Sequence, residues 1–150
     1  VNQTFTSNRF LYKSLPYDPD RSFIPVMQMV ESEQLIVAHA SVPAKDLKEF
    51  VALLKREPQK YPYGSFGPGT QPHLAFATLG KRENIDLTHI PYKGVAQLMT
   101  AVAAGEVAVS TGSGSVAGAL LQSGKMKALA ITSKQRSPLY PNLPTAQEQG

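Results

Sequence analysis

The densest run of donor groups in this chain lies at 63–73, where Tyr63, Gly64, Ser65, Phe66, Gly67, Pro68, Gly69, Thr70, Gln71, Pro72 and His73 follow one another. Glycine at 67 and 69 admits backbone angles that bring N–H groups close to a ligand, and a helix opening at Thr70 adds unpaired donors with a positive partial charge. Ser65 and Thr70 add hydroxyls. Such a loop can hold a carboxylate without a basic side chain, each charge-assisted hydrogen bond contributing about 1.5 to 3 kcal/mol where water is excluded. The bland alternative is a turn in which Thr70 only caps a helix. His73, in the first helical turn, either faces the ligand or closes the loop.

Two further loops have suitable chemistry. In His89, Ile90, Pro91, Tyr92, Lys93 and Gly94, the lysine would attract an anion and Tyr92 would line a pocket; otherwise Lys93 is a surface residue and Tyr92 packs on Pro91. In Ser110, Thr111, Gly112, Ser113, Gly114 and Ser115, small polar residues suit close approach of a ligand, with Thr111 at the pocket border, or else form a solvated turn.

Enzyme templates fare worse. Gly112, Gly114 and Ala117 fit the letters of a dinucleotide fingerprint, which keeps a nucleotide-binding enzyme domain as the alternative reading. The acidic residue expected about 20 positions on is missing, because nothing acidic occurs between Glu106 and Glu148. Gly124 and Lys125 do not complete a phosphate-binding loop, since Ala119 and Met126 occupy its glycine and hydroxyl positions. His39, His73 and His89 have no partners at metal-ligand spacing, so separate packing or surface roles are expected for each. We expect no catalytic residues, no metal and no cofactor. A third class, an interaction module, would show a flat face with the glycine loops buried.

The elements that must position these loops are legible as alternating runs. With 150 residues, 42% of them hydrophobic, and no cysteine or tryptophan, the composition is that of one domain able to bury a core. The uncharged stretch 107–124 is broken by five serines and threonines and four glycines, which rules it out as a bilayer-spanning helix. A formal charge of +4, spread along the chain, argues against nucleic acid and fits an anionic small ligand. Strands are expected at 26–30, 34–40, 61–66, 87–90, 107–111 and 127–133, and helices at 45–56, 72–80, 95–104 and 115–122. A turn is expected at 31–33. The fold class is therefore α/β, a doubly wound sheet with helices on both faces, read as parallel strands with crossover helices. Ligands of such sheets bind beyond the carboxyl ends of the strands.

The two ends look like connections. Residues 8–19 are rich in proline and aromatics without periodicity, and Thr145, Ala146, Gln147 and Glu148 form a capping box with no helix body after it. We expect a lead-in over 1–21, a ligand-binding lobe over 22–136, and a return segment with the start of a truncated helix over 137–150. An excised lobe would expose partner-facing surface, so a homodimer is plausible.

Five stretches taken together resemble a known family: Leu15 to Pro19; Tyr63 to Thr70 with His73 and Leu74; His89 to Gly94; Leu129 to Thr132; and Leu143 to Thr145 with Glu148 and Gly150. In this order they are similar to the substrate-binding proteins of tripartite tricarboxylate transporters, the Bug or TctC family. The resemblance implies a periplasmic receptor of two α/β lobes, a type II-like flytrap that closes on a small carboxylate and presents it to membrane transport subunits. It implies that this chain is the second lobe, and that the loop of Ser65, Gly67, Gly69 and Thr70 is the one that holds a ligand carboxylate; Gln71, His73, Tyr92, Lys93, Gly94 and Thr111 complete the expected ligand-binding set. Many relatives carry an aspartate where Ala108 follows Gly105, Glu106 and Val107, so an amino acid ligand is less expected here.

Overall fold

The computed structural model describes residues 3–27 and 32–150. Five strands and five helices follow the order α1 (Gln3–Leu11), β1 (Gln34–His39), α2 (Leu47–Arg56), β2 (Tyr63–Ser65), α3 (Gln71–Glu83), β3 (His89–Pro91), α4 (Val95–Ala104), β4 (Val109–Ser113), α5 (Gly114–Gln122) and β5 (Met126–Ile131). The strands form one sheet in the order β3-β2-β4-β1-β5.

The all-parallel expectation is corrected. β2 runs parallel to β3 and β4, but β1 is antiparallel to both of its neighbours, β4 and β5. Four strands therefore point one way and β1 opposes them. Strand direction is not encoded in the βα alternation, because a crossover helix and a return helix carry the same hydrophobic period. The reversal has a large consequence. The loops that follow β2, β3, β4 and β5 all open on one edge of the sheet, while the helix after β1 starts on the other.

Core packing follows from the two-residue period of β1. Ile36 and Ala38 face the cluster of Leu47, Phe50, Leu53, Leu54 and Phe76 from α2 and α3. Leu35 and Val37 face the cluster of Leu98, Met99, Ala101, Val102 and Ala117 from α4 and α5. Alternate side chains point to opposite faces, so one strand anchors both helical layers, and the doubly wound expectation holds. Lys55 crosses from α2 to Glu83 of α3 at 2.6 Å, tying the outer surfaces of one layer.

Several boundaries moved. α3 runs past Gly80 to Glu83 because that glycine accommodates the turn after it: a Cβ there would lie 2.8 Å from the Ile85 carbonyl oxygen. The helix stops at Asn84, whose left-handed backbone (φ 55°) caps it. Gly112 lies inside β4 rather than in a loop. Residues 8–11, expected as irregular linker, belong to α1. Of the strand expected at 26–30, residues 28–30 lie outside the described residues, as does residue 31 of the expected turn. The capping box does form, with the Thr145 N–H donating to Glu148 Oε2 at 2.7 Å and the Glu148 N–H to Thr145 Oγ1 at 3.0 Å. It closes a turn, which pairs with β5 through a bridge between Ile131 and Thr145.

Candidate functional site

Helix starts divide by edge. α2, on the edge away from the parallel strand ends, has its opening N–H groups fully served: Asp46 accepts the Glu49 N–H at 2.8 Å, and Gln149 Oε1 accepts those of Leu47 and Lys48 at 2.7 and 3.1 Å. The helices α3, α4 and α5 start on the other edge, and none has a side-chain cap. Unserved helix openings carry donors and partial positive charge. The sheet thus presents three of them side by side.

Around α3 the donors distribute differently from the sequence expectation. Ser65 is fully buried, and its Oγ accepts the Gly67 N–H at 3.0 Å while meeting His89 Nε2 at 2.6 Å. The Gly69 N–H donates to His73 Nδ1 at 3.1 Å. Thr70 has the extended backbone of a helix cap, yet its hydroxyl donates to the Gly67 carbonyl at 2.5 Å instead of accepting from the helix. The amides of Gly67 and Gly69 and both hydroxyls are therefore engaged within the loop and shape it. At the opening of α3 the N–H groups of Gln71 and His73 have no acceptor among the described residues, and Pro72 has no N–H.

Gln71 adds to them. Its Oε1 accepts from the Thr111 hydroxyl, which orients the amide and leaves Nε2 without a protein partner among the described residues. Thr111 of β4 thus ties the start of α3 to the sheet. Ser110, beside it, donates to the Gly64 carbonyl at 2.9 Å and locks β4 to β2. Apolar cover comes from α1: a Cβ at Gly69, whose φ is +76°, would lie 2.0 Å from Leu11 Cδ1. Leu11 therefore rests on the backbone of the loop, and its own side chain is 44% exposed.

The structure assembles one group that the sequence reading missed. His89 and His73, expected to play separate roles, have ring centroids 4.8 Å apart, and His89 stacks on Tyr63 at 4.9 Å, which stacks on Phe76 at 5.0 Å. Burial, and then the neighbouring His73, hold His89 below the ordinary histidine range. A signal was available. A parallel β2/β3 pair in the register Tyr63 to His89 places that imidazole beside the strand leading to Ser65, but register cannot be read from one sequence.

The remaining candidates are dispersed. Tyr92 turns its ring into the α4 layer, 3.5 Å from where a Gly64 Cβ would sit, and burial and then Glu106 raise its phenol above the ordinary range. It packs more than it lines a pocket. Lys93 is exposed at the start of α4, with its backbone N–H bonded to Gln97 Oε1 at 3.2 Å, and Gly94 is that helix's extended first cap. At α5, a Cβ on Gly114 would lie 2.4 Å from the Tyr140 hydroxyl, so that tyrosine rests against the glycine. His39 lies apart, bonded to Ser41 at 2.7 Å. No group of three potential metal ligands exists among the described residues, and none of their helices is long and apolar enough to cross a membrane. A groove of about 700 Å³ lies between α2 and α3, and one of about 1090 Å³ opens at the start of α5, lined by Ser113, Gly114 and Ser115 together with residues 132–140.

Replacing Ser65 by alanine tests its role as a hub. The Gly67 N–H and His89 Nε2 lose a buried partner together, so urea unfolding is expected to show a loss of about 1–3 kcal/mol with an unchanged slope. An unchanged midpoint would mean the hydroxyl does not hold the loop.

Comparison with known proteins supplies a family and supports the fold. The sequence matches the TctC family, described as the tripartite tricarboxylate transporter family receptor, over residues 1–150. A UPF0065 protein of the tcbD-tcbE intergenic region of a Pseudomonas species is 32% identical over 149 residues, which are 99% of this chain and 44% of that protein. Among solved structures, the periplasmic binding protein BugD superposes with a TM-score of 0.89 at 32% identity, over 99% of this chain and 50% of BugD. MatC of Rhodopseudomonas palustris, solved with bound malate, gives 0.83 at 28% identity over 99% of this chain and 49% of MatC. A further R. palustris protein, solved with adipate, gives 0.86 at 28% identity over 96% of this chain and 48% of its own. The chain spans about half the length of the curated relatives it matches. A five-stranded mixed sheet, three uncapped helices on one edge and a family match from end to end lead to one conclusion: the chain belongs to the tripartite tricarboxylate transporter receptor family.

Proposed function

We propose that this chain is one lobe of a two-lobe periplasmic receptor that binds a small carboxylate and delivers it to membrane transport subunits. Residues 22–136 form the lobe, and 1–21 and 137–150 are its connections to the other half. The reading is carried by the division of helix starts. The edge facing away from the parallel strand ends is capped by Asp46 and Gln149, while α3, α4 and α5 open uncapped on the other edge. An anion bound at α3 would complete what no side chain there completes.

In this account the N–H groups of Gln71 and His73 and the Gln71 side-chain amide hold one carboxylate. Ser65, Gly67, Gly69 and Thr70 shape the loop that presents them, Thr111 orients Gln71, and Lys93 at the neighbouring helix start attracts the anion. The lobe performs no catalysis of its own. Relatives solved with malate and with adipate support a dicarboxylate as the ligand class.

Calorimetry of this chain with malate and with adipate tests the proposal. Without an opposing lobe water stays in the site, so dissociation constants in the millimolar range are expected, about 4 kcal/mol of binding free energy. Submicromolar affinity would contradict the half-cleft reading, and no binding of either acid at saturating concentration would contradict the carboxylate.

A further inference from the structure

We infer that carboxylate capture by the 65–73 loop is coupled to proton uptake on His73, which releases the Gly69 amide as the ligand arrives. This rests on the carboxylate reading above. In the loop as it stands the Gly69 N–H donates to His73 Nδ1 at 3.1 Å, so that nitrogen carries no proton. A proton on Nδ1 ends the bond, because two donors then face each other. Gly69 then offers its N–H to the site, and an imidazolium stands in the first turn of α3. A bound anion favours that charge. Proton and carboxylate therefore promote one another, each raising the other's affinity by the same factor.

His89 limits the exchange to one proton. Its ring centroid is 4.8 Å from that of His73, and two imidazolium ions at that distance repel. Its Nε2 is engaged with Ser65 at 2.6 Å, and burial, then His73, disfavour its charged form. The other groups facing the pair do not compete for the proton. From β2 come the Ser65 hydroxyl and Tyr63, whose phenol burial raises above its ordinary value. The loop contributes Gly69, over which the apolar Leu11 of α1 lies, and Phe76, further along α3, stacks on Tyr63. No carboxylate among the described residues contributes to the shift of His89. The ligand supplies the negative charge that the pair lacks.

The test compares this chain with its His73→Gln variant, whose amide oxygen still accepts from Gly69 but does not titrate. Malate binding is followed by amide NMR at about pH 5.5 and about pH 7.5. The variant carries any effect of malate's own ionisation. Relative to it, the wild type is expected to gain about threefold or more in affinity at the lower pH. In the ligand-free chain, the Gly69 amide resonance is expected to move with pH in step with the His73 ring. Equal pH dependence in the two proteins, or a Gly69 amide indifferent to the ring, overturns the coupling and leaves the receptor reading intact. Failure of wild type and variant to bind either malate or adipate at any pH overturns the receptor reading and the coupling with it.

Discussion

Gln71→Glu is expected to weaken malate binding by about tenfold or more while leaving the fold at least as stable. The two effects have opposite signs because they share one cause. Position 71 opens α3, where a negative side chain meets the positive helix end and contributes about 0.3–1 kcal/mol. The variant keeps an oxygen for the Thr111 hydroxyl, so the link to β4 survives. A ligand carboxylate arriving at the same N–H groups then faces a like charge at about 4 Å, an interaction of about 4 kcal/mol at an effective dielectric of about 20. A third of that repulsion already amounts to about tenfold. Thermal unfolding and a malate titration on the same sample check both halves. A variant that binds malate as well as the wild type would place the ligand elsewhere.

Phe50→Ala is expected to cost about 3–5 kcal/mol. Phe50 is fully buried between α2 and the sheet and meets Tyr61 edge to face, with centroids 6.4 Å apart and rings at 72°. Removing it leaves a ring-sized void, because β1 is held by its other face and cannot move into the space. At about 2–4 °C per kcal/mol for a domain of this size, the melting point falls by about 6–20 °C. Urea unfolding gives the energy directly. A loss below about 1 kcal/mol would mean that this layer is packed far more loosely than the structure shows. The 65–73 loop lies on the other edge of the sheet from the start of α2, so below the melting point malate binding is expected to persist.

Contrast between these two variants shows what a sequence displays. The period of Leu47, Phe50 and Leu54 announced α2 and its buried face, and 95–104 was legible to the residue because Gly105 ends that helix in a left-handed turn. The 63–73 segment was legible as a turn between a strand and a helix, through its glycines and proline. Its inner wiring was not. A serine after a strand reads as a ligand donor, but Ser65 is buried and its hydroxyl is already engaged by Gly67 and His89. Thr70 reads as a helix cap, yet its proton goes to the Gly67 carbonyl. Local hydroxyl partners within hydrogen-bond reach compete on nearly equal terms, and the winner depends on a loop path that spacing does not define.

Long-range facts were hidden for a different reason. The reversed direction of β1, the stack of Phe76, Tyr63, His89 and His73, and the cover of Leu11 over Gly69 all join residues far apart in sequence. Each depends on sheet register. The reversal of β1 matters most for function. It sends α2 to the edge where Asp46 and Gln149 serve the helix start, and leaves α3, α4 and α5 open together on the other.

Amide NMR of the chain titrated with malate measures the central claim most directly, because it reports which N–H groups meet the ligand. The account predicts that the largest, saturable shifts fall on Gln71 and His73, with Gly69 following at lower pH and the opening residues of α2 unmoved. Shifts concentrated at Gly114 and Ser115, or spread evenly over the lysines and arginines, would contradict it.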